Sequence, residues 1–499
     1  MDTQHFSTSA DAELSADTST DTIDAIDTIA AIATPPGVGG VGIVRVSGPL
    51  AFSIGRALFR AGALAAVYDH DEYPSHQLLY GHVVDPQSGE IVDEVLTTFM
   101  RAPHTYTREN VVELQAHGGP LVLRRILALT FATGARAAQP GEMTLRAFLN
   151  GRIDLAQAEA VMALIQAESD AGRRLALRQL QGELSAQVAA ARDAVFGALT
   201  RIEASIDFPE EEVPPPDPAE LADLIAQAQT TLAELLAGAD RGRMLREGLR
   251  VAIVGRPNVG KSSLLNALLG VERAIVTPVA GTTRDTVEEA ATLGGVRLHL
   301  VDTAGLTPTD DPVERLGVER SRAAATSADL LIFLLDGSVP LTDLDIQAAT
   351  DLRALLAGET MDGQAFLERP VIVALNKADL PPRLPEADGQ ALWPSATLVR
   401  TSTLARAGIV ALEAEIARLT LVGQAQAADA LVSSARHQDA LRRAQQQLAE
   451  ATTTLARNIP LDFVAIDLRM ALESLGEITG ETATADLLDR IFADFCIGK

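Results

Sequence analysis

Three short segments in the second half of the chain, each behind an apolar run, constrain the fold more than any other feature. Val251-Ala252-Ile253-Val254 leads into Gly255-Arg256-Pro257-Asn258-Val259-Gly260-Lys261-Ser262, and a helical stretch from Leu264 to Leu269 follows. Strand, glycine-rich loop and helix in that order form a cradle. The glycines let backbone N–H groups curl around phosphate oxygens, and the helix N-terminus adds positive potential. In such a loop Lys261 reaches the β and γ phosphates and the Ser262 hydroxyl ligates Mg²⁺. Asn258, Val259, Gly260 and Ser263 belong to the same contact set. Val296 to Val301 reads as a strand and ends in Asp302-Thr303-Ala304-Gly305, with Asp302 near the metal and the Gly305 N–H free to sense a γ-phosphate. Val371 to Leu375 is a third strand and ends in Asn376-Lys377-Ala378-Asp379. There Asp379 can accept two hydrogen bonds from the N1 and N2 edge of guanine, which adenine cannot offer. Any one of these segments also reads as a turn between strand and helix. The ordered set of three specifies GTP, Mg²⁺ and hydrolysis.

Between the first two segments stands Thr277-Pro278-Val279-Ala280-Gly281-Thr282-Thr283-Arg284-Asp285. A threonine at this switch coordinates Mg²⁺ and contacts the γ-phosphate when GTP is bound, and Thr283 is the expected one. Asn258 admits two readings. Its neutral oxygen suits a monovalent cation bridging the α and γ phosphates, the electrostatic task of an arginine finger elsewhere. It equally suits a loop-stabilising bond to backbone. Leu306 follows Gly305 where many GTPases carry a glutamine that orients the attacking water; leucine has no group for this. Asp310, Asp311 and Glu314 lie downstream. Glu314 could reach in through a bridging water, or be a solvated carboxylate at a helix N-terminus. Thr401-Ser402-Thr403 sits where a short loop would cap the guanine base.

The chain has 499 residues, too many for one core, and 47% hydrophobic content supports well-packed cores in two or three domains. No apolar run is long enough to span a bilayer. Met1 to about Asp21 is rich in Ser, Thr and Asp without an apolar core, so a disordered acidic tail is expected there rather than a secretory signal. The single cysteine, Cys496, cannot form an intrachain disulfide, which suits a reducing cytoplasm. A formal net charge of −26 argues against non-specific nucleic-acid binding, so an RNA partner would need a local basic patch or a second, basic protein.

From Thr28 to Val46 two strand-like runs flank a Pro/Gly turn, and mixed signals continue to about Ala138. From Pro140 the pattern becomes helical over Glu142 to Glu168, Arg173 to Phe208 and Pro218 to Leu236, with Phe208 to Pro218 as a proline-rich break. After the nucleotide segments, Ala425 to Arg457 and Asp462 to Phe495 are helical again. The expected architecture is multidomain, α/β plus all-α. It comprises a tail (1–21), an N-terminal α/β domain (22–139), a helical domain (140–246 and 422–499), and a P-loop, Ras-like GTPase domain with a mainly parallel sheet inserted at 247–421.

The segments flanking the nucleotide motifs carry a resemblance. They are Ala33-Thr34-Pro35-Pro36-Gly37-Val38-Gly39-Gly40-Val41-Gly42-Ile43, Glu113-Leu114-Gln115-Ala116-His117-Gly118-Gly119, and Pro140-Gly141-Glu142 with Arg146-Ala147-Phe148-Leu149-Asn150-Gly151-Arg152. Asp154 to Ala160, Ile206 to Glu211 and the closing Phe495-Cys496-Ile497-Gly498-Lys499 complete the set. With the GTPase motifs between them, the chain resembles the MnmE (TrmE) family of tRNA-modification GTPases along essentially its whole length after the tail. The resemblance implies modification of the wobble uridine of certain tRNAs at carbon 5, giving an aminomethyl or carboxymethylaminomethyl group, with the flavoprotein MnmG (GidA) as partner in a heterotetramer or larger complex. It implies an N-terminal domain that binds a tetrahydrofolate one-carbon donor (5-formyl or methylene form) and mediates homodimerisation. It also implies a K⁺ requirement.

Residue by residue, the resemblance makes Asn258 a K⁺ ligand, with Thr277, Val279 and Thr282 in the loop that closes over the ion. Ser262 and Thr283 become the Mg²⁺ ligands, Glu314 the catalytic glutamate beside Lys261, and Cys496 a reactive thiol. Arg45, Glu113, Arg152 and Lys499 become folate contacts. Arg45, Arg152 and Lys499 could meet carboxylates or polar pterin atoms, and Glu113 the amino-pyrimidine edge. Cys496 also reads as a buried apolar residue. The chain departs from the family pattern at Arg108 and Asn110, where Gly and Asp are usual, at Thr307, where Arg is common, and at Ala163, where an acidic residue is. The competing function is a regulatory GTPase switch in ribosome assembly without covalent RNA chemistry.

Overall fold

The computed structural model describes residues 27–62, 73–207, 216–269, 289–293, 296–302, 325–357, 370–421, 430–457 and 459–498. The tail, the switch stretch 277–285, residues 303–320 and Lys499 lie outside them. The chain divides into two units, Met1–Ile153 with Asp486–Lys499, and Asp154–Ala485.

The first unit is a sheet with helices packed against it. Its elements run β1 (Ile29–Ile32), β2 (Gly39–Ser47), α1 (Ala51–Leu58), β3 (Phe59–Ala61), β4 (Leu78–Val84), β5 (Ile91–Met100), β6 (Val111–Gly118), α2 (Pro120–Ala132), β7 (Arg136–Ala137) and α3 (Glu142–Leu149). The described strands order as β3-β4-β5-β6-β2-β1-β7, antiparallel except where β1 meets β7. The Pro/Gly turn between β1 and β2 is where sequence places it. Alternation sets the faces: Val44 and Val46 on β2 and Val112, Leu114 and Ala116 on β6 are buried with Phe52, Leu58, Leu123 and Ile126 from α1 and α2. Gly42 admits this packing, because a Cβ there would lie 2.4 Å from Leu123 Cδ1. The alternate residues Arg45 and Glu113 are direct cross-strand partners on the opposite face.

Helices expected to be continuous are broken at glycines. Gly151 (φ 67°) separates α3 from α4 (Leu155–Ile165). A capping box follows, with Asp154 Oδ1 accepting from Gln157 N at 2.8 Å and Gln157 Oε1 from Asp154 N at 3.0 Å. Gly182 (φ 87°) separates α5 (Asp170–Leu180) from α6 (Glu183–Asp207). Non-glycine residues pay for this left-handed backbone, so a glycine at each place ends one helix.

In the second unit α7 (Pro218–Ala237) and α8 (Ala239–Glu247) lead into an alternating α/β segment. This runs β8 (Leu249–Val254), α9 (Lys261–Leu269), β9 (Glu289–Leu293), β10 (Val296–Asp302), β11 (Leu330–Asp336), α10 (Asp343–Ala357), β12 (Val371–Asn376), α11 (Glu386–Leu392), β13 (Thr397–Arg400) and α12 (Ile409–Leu421). The chain then returns to helices in α13 (Ala435–Ala456) and α14 (Leu461–Thr479). Val188, Val195 and Ile202 of α6 share a core with Leu221, Ile225 and Leu232 of α7, Leu441 and Leu448 of α13, and Leu468 and Leu475 of α14. Helices before and after the α/β segment thus bury one common apolar face, as a helical domain with a GTPase module inserted into it requires.

The α/β segment forms a sheet of order β13-β12-β11-β8-β10-β9. Every pairing is parallel except that of β9 with β10. β11 (Leu-Leu-Ile-Phe-Leu-Leu-Asp) and β12 (Val-Ile-Val-Ala-Leu-Asn) are buried at every position. Continuous apolar strands are what a parallel sheet covered on both faces demands. The polar motifs follow where these runs stop, at the carboxyl ends of the strands, the edge at which open α/β sheets bind ligands.

Candidate nucleotide site and a second polar pocket

The loop after β8 is shaped by two unusual backbone positions. Asn258 adopts φ 63° and Gly260 φ 101°. A Cβ on Gly260 would lie 2.4 Å from Asn376 Nδ2, so only glycine lets the two loops approach this closely. Val259 turns its side chain into the core at 0% exposure, while its carbonyl accepts Asn376 Nδ2 at 2.8 Å. Lys261, the first residue of α9, is buried, and its Nζ donates to the carbonyls of Gly255 at 3.0 Å and Arg256 at 3.1 Å. The ammonium therefore lies across the mouth of the loop.

The loop after β12 is held from three sides. Asn376 is 1% exposed, and its Oδ1 accepts Thr401 Oγ1 at 3.4 Å. Ala378 N donates to Thr401 O at 3.0 Å, and Thr401 N to Leu375 O at 2.8 Å. Ser402 Oγ donates to Asp379 Oδ1 and accepts Ala405 N at 3.0 Å, so the exposed Asp379 carboxylate is aimed by a buried hydroxyl. Lys377, also left-handed at φ 63°, is tied by Nζ to Asp336 Oδ2 at 2.6 Å. Burial alone would raise the Asp336 carboxyl. The hydrogen bonds from Lys377 and Ser338 outweigh it and hold the group below the usual carboxylate range.

These loops wall a cleft of about 1000 Å³ lined by Pro257, Asn258, Gly260, Lys261, Ser262, Ser263, Asn376, Lys377, Asp379, Leu380, Thr403 and Leu404. The expected P-loop, base-recognition and capping residues thus come together around one space. Sequence reasoning missed Pro257, Leu380 and Leu404; an exposed Leu404, at 86%, beside a base-capping loop is a readable signal after the fact. Asp302 ends β10, and its backbone pairs with Ile253 beside the P-loop strand. Thr277 to Thr283, Thr303, Ala304, Gly305 and Glu314 lie outside the described residues. Among the described residues no group of three or more His, Cys, Asp or Glu side chains is placed to hold a metal ion. The oxygens that the described lining offers a cation are the Ser262 and Ser263 hydroxyls and the Asn258 amide, hard donors of the kind Mg²⁺ takes.

In the first unit a second polar cluster lies on the sheet face away from α1 and α2. Arg45 Nε donates to Glu113 Oε1 at 2.8 Å, and Arg45 Nη1 to Gly498 O at 3.3 Å. The guanidinium carbons of Arg45 and Arg152 stand 5.8 Å and 4.8 Å from the Tyr106 ring centre. Burial pushes the Tyr106 hydroxyl up despite both arginines, and it shares a 2.9 Å hydrogen bond with Thr144 Oγ1. Arg45, Glu113 and Arg152 are therefore brought together, with Tyr106 as an unforeseen centre; Lys499 lies outside the described residues. The C-terminal segment is held against this pocket. Pro140 bridges Ile497, Gly141 N donates to Cys496 O at 3.4 Å, and Gly498 sits at φ 93° against Ile32 O. Cys496 is exposed, which corrects the reading of it as a buried apolar residue. Arg108, where glycine was expected, adopts φ 59° and donates from Nη1 to Asn150 O at 2.9 Å. The left-handed backbone explains why glycine suits the position, and the tether offsets its cost in arginine.

Family models match over both parts of the chain: the GTP-binding protein TrmE N-terminus at residues 28–152 and the MnmE helical domain at residues 155–496. The tRNA modification GTPase MnmE of Chloroflexus aurantiacus is 50% identical over 94% of this chain and 98% of its own length. The chain belongs to the MnmE family of tRNA modification GTPases. The family's Desulforamulus reducens member is 43% identical over the same shares of the two chains. The chain is also similar to the solved structure of Aquifex aeolicus Era bound to GDP and AlF4⁻, at 30% identity, covering 33% of this chain and 55% of that one with a TM-score of 0.26. Among the described residues no helix is long and apolar enough to cross a membrane.

Proposed function

We propose that this chain is a K⁺-dependent GTPase that acts with the flavoprotein MnmG. Together they install an aminomethyl or carboxymethylaminomethyl group at carbon 5 of the wobble uridine of certain tRNAs, using a tetrahydrofolate one-carbon donor. Family membership makes it a GTP hydrolase tied to tRNA modification. The observation that best supports guanine as the base is the Ser402–Asp379 hydrogen bond, which presents a carboxylate at the cleft with its geometry already set. Lys261 and the N–H groups of Val259 to Ser263 would hold the phosphates. Ser262 and Thr283 would hold Mg²⁺, which neutralises charge on the β and γ phosphates when bound. Asn258, Thr277, Val279 and Thr282 would hold K⁺. Glu314 would orient the attacking water, since Leu306 cannot.

In the same reading the N-terminal α/β domain (22–139) binds folate and forms the homodimer, and 140–246 with 422–499 frames the GTPase domain at 247–421. Arg45, Glu113, Arg152 and Lys499 recognise the one-carbon donor, and the exposed Cys496 serves as a reactive thiol. The protein works in the cytoplasm. The test is mass spectrometry of wobble uridines in tRNA from cells lacking the protein. Loss of the carbon-5 substituent is expected; intact modification would overturn the proposal in favour of a regulatory GTPase.

A further inference from the structure

Behind the nucleotide cleft, two buried carboxylates each hold a cation from a different loop. Asp336 closes β11 with its side chain 7% exposed. Its Oδ1 accepts Ser338 N at 3.0 Å and Ser338 Oγ at 2.6 Å. Its Oδ2 accepts Lys377 Nζ at 2.6 Å and lies 4.0 Å from Arg256 Nη2. Asp345, in the first turn of α10, is 4% exposed and accepts Arg256 Nε at 3.0 Å. Its other oxygen accepts Thr342 Oγ1 at 2.6 Å and Thr342 N at 3.1 Å. Arg256 belongs to the P-loop and Lys377 to the base loop. Neither carboxylate lines the cleft.

We infer that Asp336 and Asp345 are positioning residues for guanine-nucleotide binding, and that with Arg256 and Lys377 they lock the P-loop and the base loop into one preformed cradle. Both loops carry left-handed non-glycine residues, Asn258 and Lys377, a conformation that persists only where surrounding contacts impose it. Asp336 imposes it on Lys377 by fixing the far end of the side chain. With its ammonium drawn back to Asp336, Lys377 offers its methylene stem to the cleft. A second tie strengthens the frame, because Gly337 N, next to Asp336, donates to Asn376 O at 2.9 Å. Charge-assisted bonds in a buried setting hold direction better than neutral ones, and a cradle set before binding spends less affinity on ordering itself.

A bland alternative is that the four charges only stabilise the fold. The inference rests on the guanine-nucleotide reading, whose own failure would appear as no binding of fluorescent N-methylanthraniloyl-GDP by the unsubstituted full-length chain. With that binding in hand, Asp336→Asn keeps shape and the Ser338 contacts but loses the charge facing Lys377. GDP affinity is expected to fall about tenfold or more, and KM for GTP to rise in step while kcat at saturation changes far less. The double variant Asp336→Asn/Lys377→Met is expected to bind no more weakly than Lys377→Met alone, because Asp336 acts through Lys377. Full additivity of the two effects, or a fall in kcat at unchanged KM, would overturn the inference. Should Asp336→Asn melt below the assay temperature, Asp345→Asn reads the same device through Arg256, with Arg256→Gln as its paired variant. Unchanged GDP affinity in a folded Asp345→Asn chain would likewise overturn it.

Discussion

Asn376 reaches out of the base-recognition loop and donates Nδ2 to the backbone carbonyl of Val259 at 2.8 Å, inside the phosphate-binding loop. The two residues are 117 apart in sequence, and the contact is fully buried. The loop proposed to select the base and the loop proposed to hold the phosphates are therefore one hydrogen-bonded object. A displacement of either loop moves the other, and affinity for the base and for the phosphates should fall together when the link is cut.

Asn376→Ala is the direct test. It leaves Val259 O and Thr401 Oγ1 without this partner in a buried place, a loss on the order of 1–3 kcal/mol, or roughly 5- to 150-fold in nucleotide affinity. Isothermal titration with GDP and with inorganic pyrophosphate should show both weakened. A variant that binds pyrophosphate normally while losing GDP would confine Asn376 to the base.

Gly260→Ala makes a sharper demand. The position has φ 101°, and the new methyl would lie 2.4 Å from Asn376 Nδ2. Backbone strain and a clash with the inter-loop bond then act together, and GDP affinity should drop by about 100-fold or more on the scale of a few kcal/mol. Thermal melting of the whole chain should move by only a few degrees, since the strain is local to the loop. Normal GDP affinity in this variant would mean that the two loops separate freely.

Much of this was legible before any coordinates. Apolar runs ending in Gly255, Asp302 and Asn376 announce a parallel sheet with its ligand edge, and β12, apolar from Val371 to Leu375, reads as a strand covered on both faces. The helical stretches were legible as regions but not as separate helices. Gly151, Gly182 and Gly480 break them through left-handed backbone, and a glycine inside a helical pattern looks the same whether it is tolerated or terminal. Asp336 was missed although it ends an apolar strand in the same way as Asn376; its role depends on Lys377, a partner 41 residues away. Tyr106 was missed because its two arginines come from β2 and from the loop after α3, and no spacing rule joins them. The roles of Thr277, Thr283 and Glu314 rest on motif and family resemblance, since they lie outside the described residues.

GTP turnover should require K⁺, with Na⁺ a poor substitute, if Asn258 supplies an oxygen to a monovalent cation. Asn258→Gly isolates that oxygen. Glycine accepts the φ of 63° without strain, so the loop keeps its path. Loss of one preorganised electrostatic group should cost about 100-fold in K⁺-stimulated turnover, while GDP affinity stays within about threefold. Equal rates in the two salts for the unsubstituted chain would remove the ion from the mechanism.

Acid should weaken the helical part of the chain through Glu159 of α4, whose Oε1 accepts Arg436 Nε at 2.8 Å and whose Oε2 lies 2.7 Å from His437 Nε2. Burial would raise this carboxyl, but the His437 ring and the Arg436 guanidinium outweigh it and pull it down from 4.5 to about 2. A depressed folded value means stability fully present above the unfolded value and lost as pH falls from about 4.5 towards 2. The swing is on the order of 3 kcal/mol. Chemical denaturation at pH 7 and at pH 3 should show it, and Glu159→Gln should be less stable at pH 7 and flatter between the two. A parallel acid loss in both proteins would assign the effect to other carboxylates.

The pocket around Tyr106 makes the last prediction, and the face it occupies makes it clean. Arg45, Glu113 and Tyr106 sit on the side of the sheet away from α1 and α2, so substitutions there leave the core under those helices intact; Tyr106 also packs against Ile29, Ala31 and Met143, and leucine keeps apolar bulk there. Glu113→Gln keeps shape but loses the charge that pairs with Arg45 and that would accept from an amino-pyrimidine edge. Tyr106→Leu removes the aromatic face over which both guanidinium groups lie, a contact worth about 0.5–2 kcal/mol for each cation held in place. Each variant should bind 5-formyl-tetrahydrofolate at least about tenfold more weakly by titration calorimetry, with its melting temperature within a few degrees of the parent. GDP binding in the same samples serves as the internal control, because the nucleotide cleft is built entirely from residues of the other unit. Unchanged folate affinity in Glu113→Gln would remove Glu113 from the site. Unchanged affinity in both variants would leave the Arg45–Glu113 pair as a cross-strand tie that only holds β2 to β6.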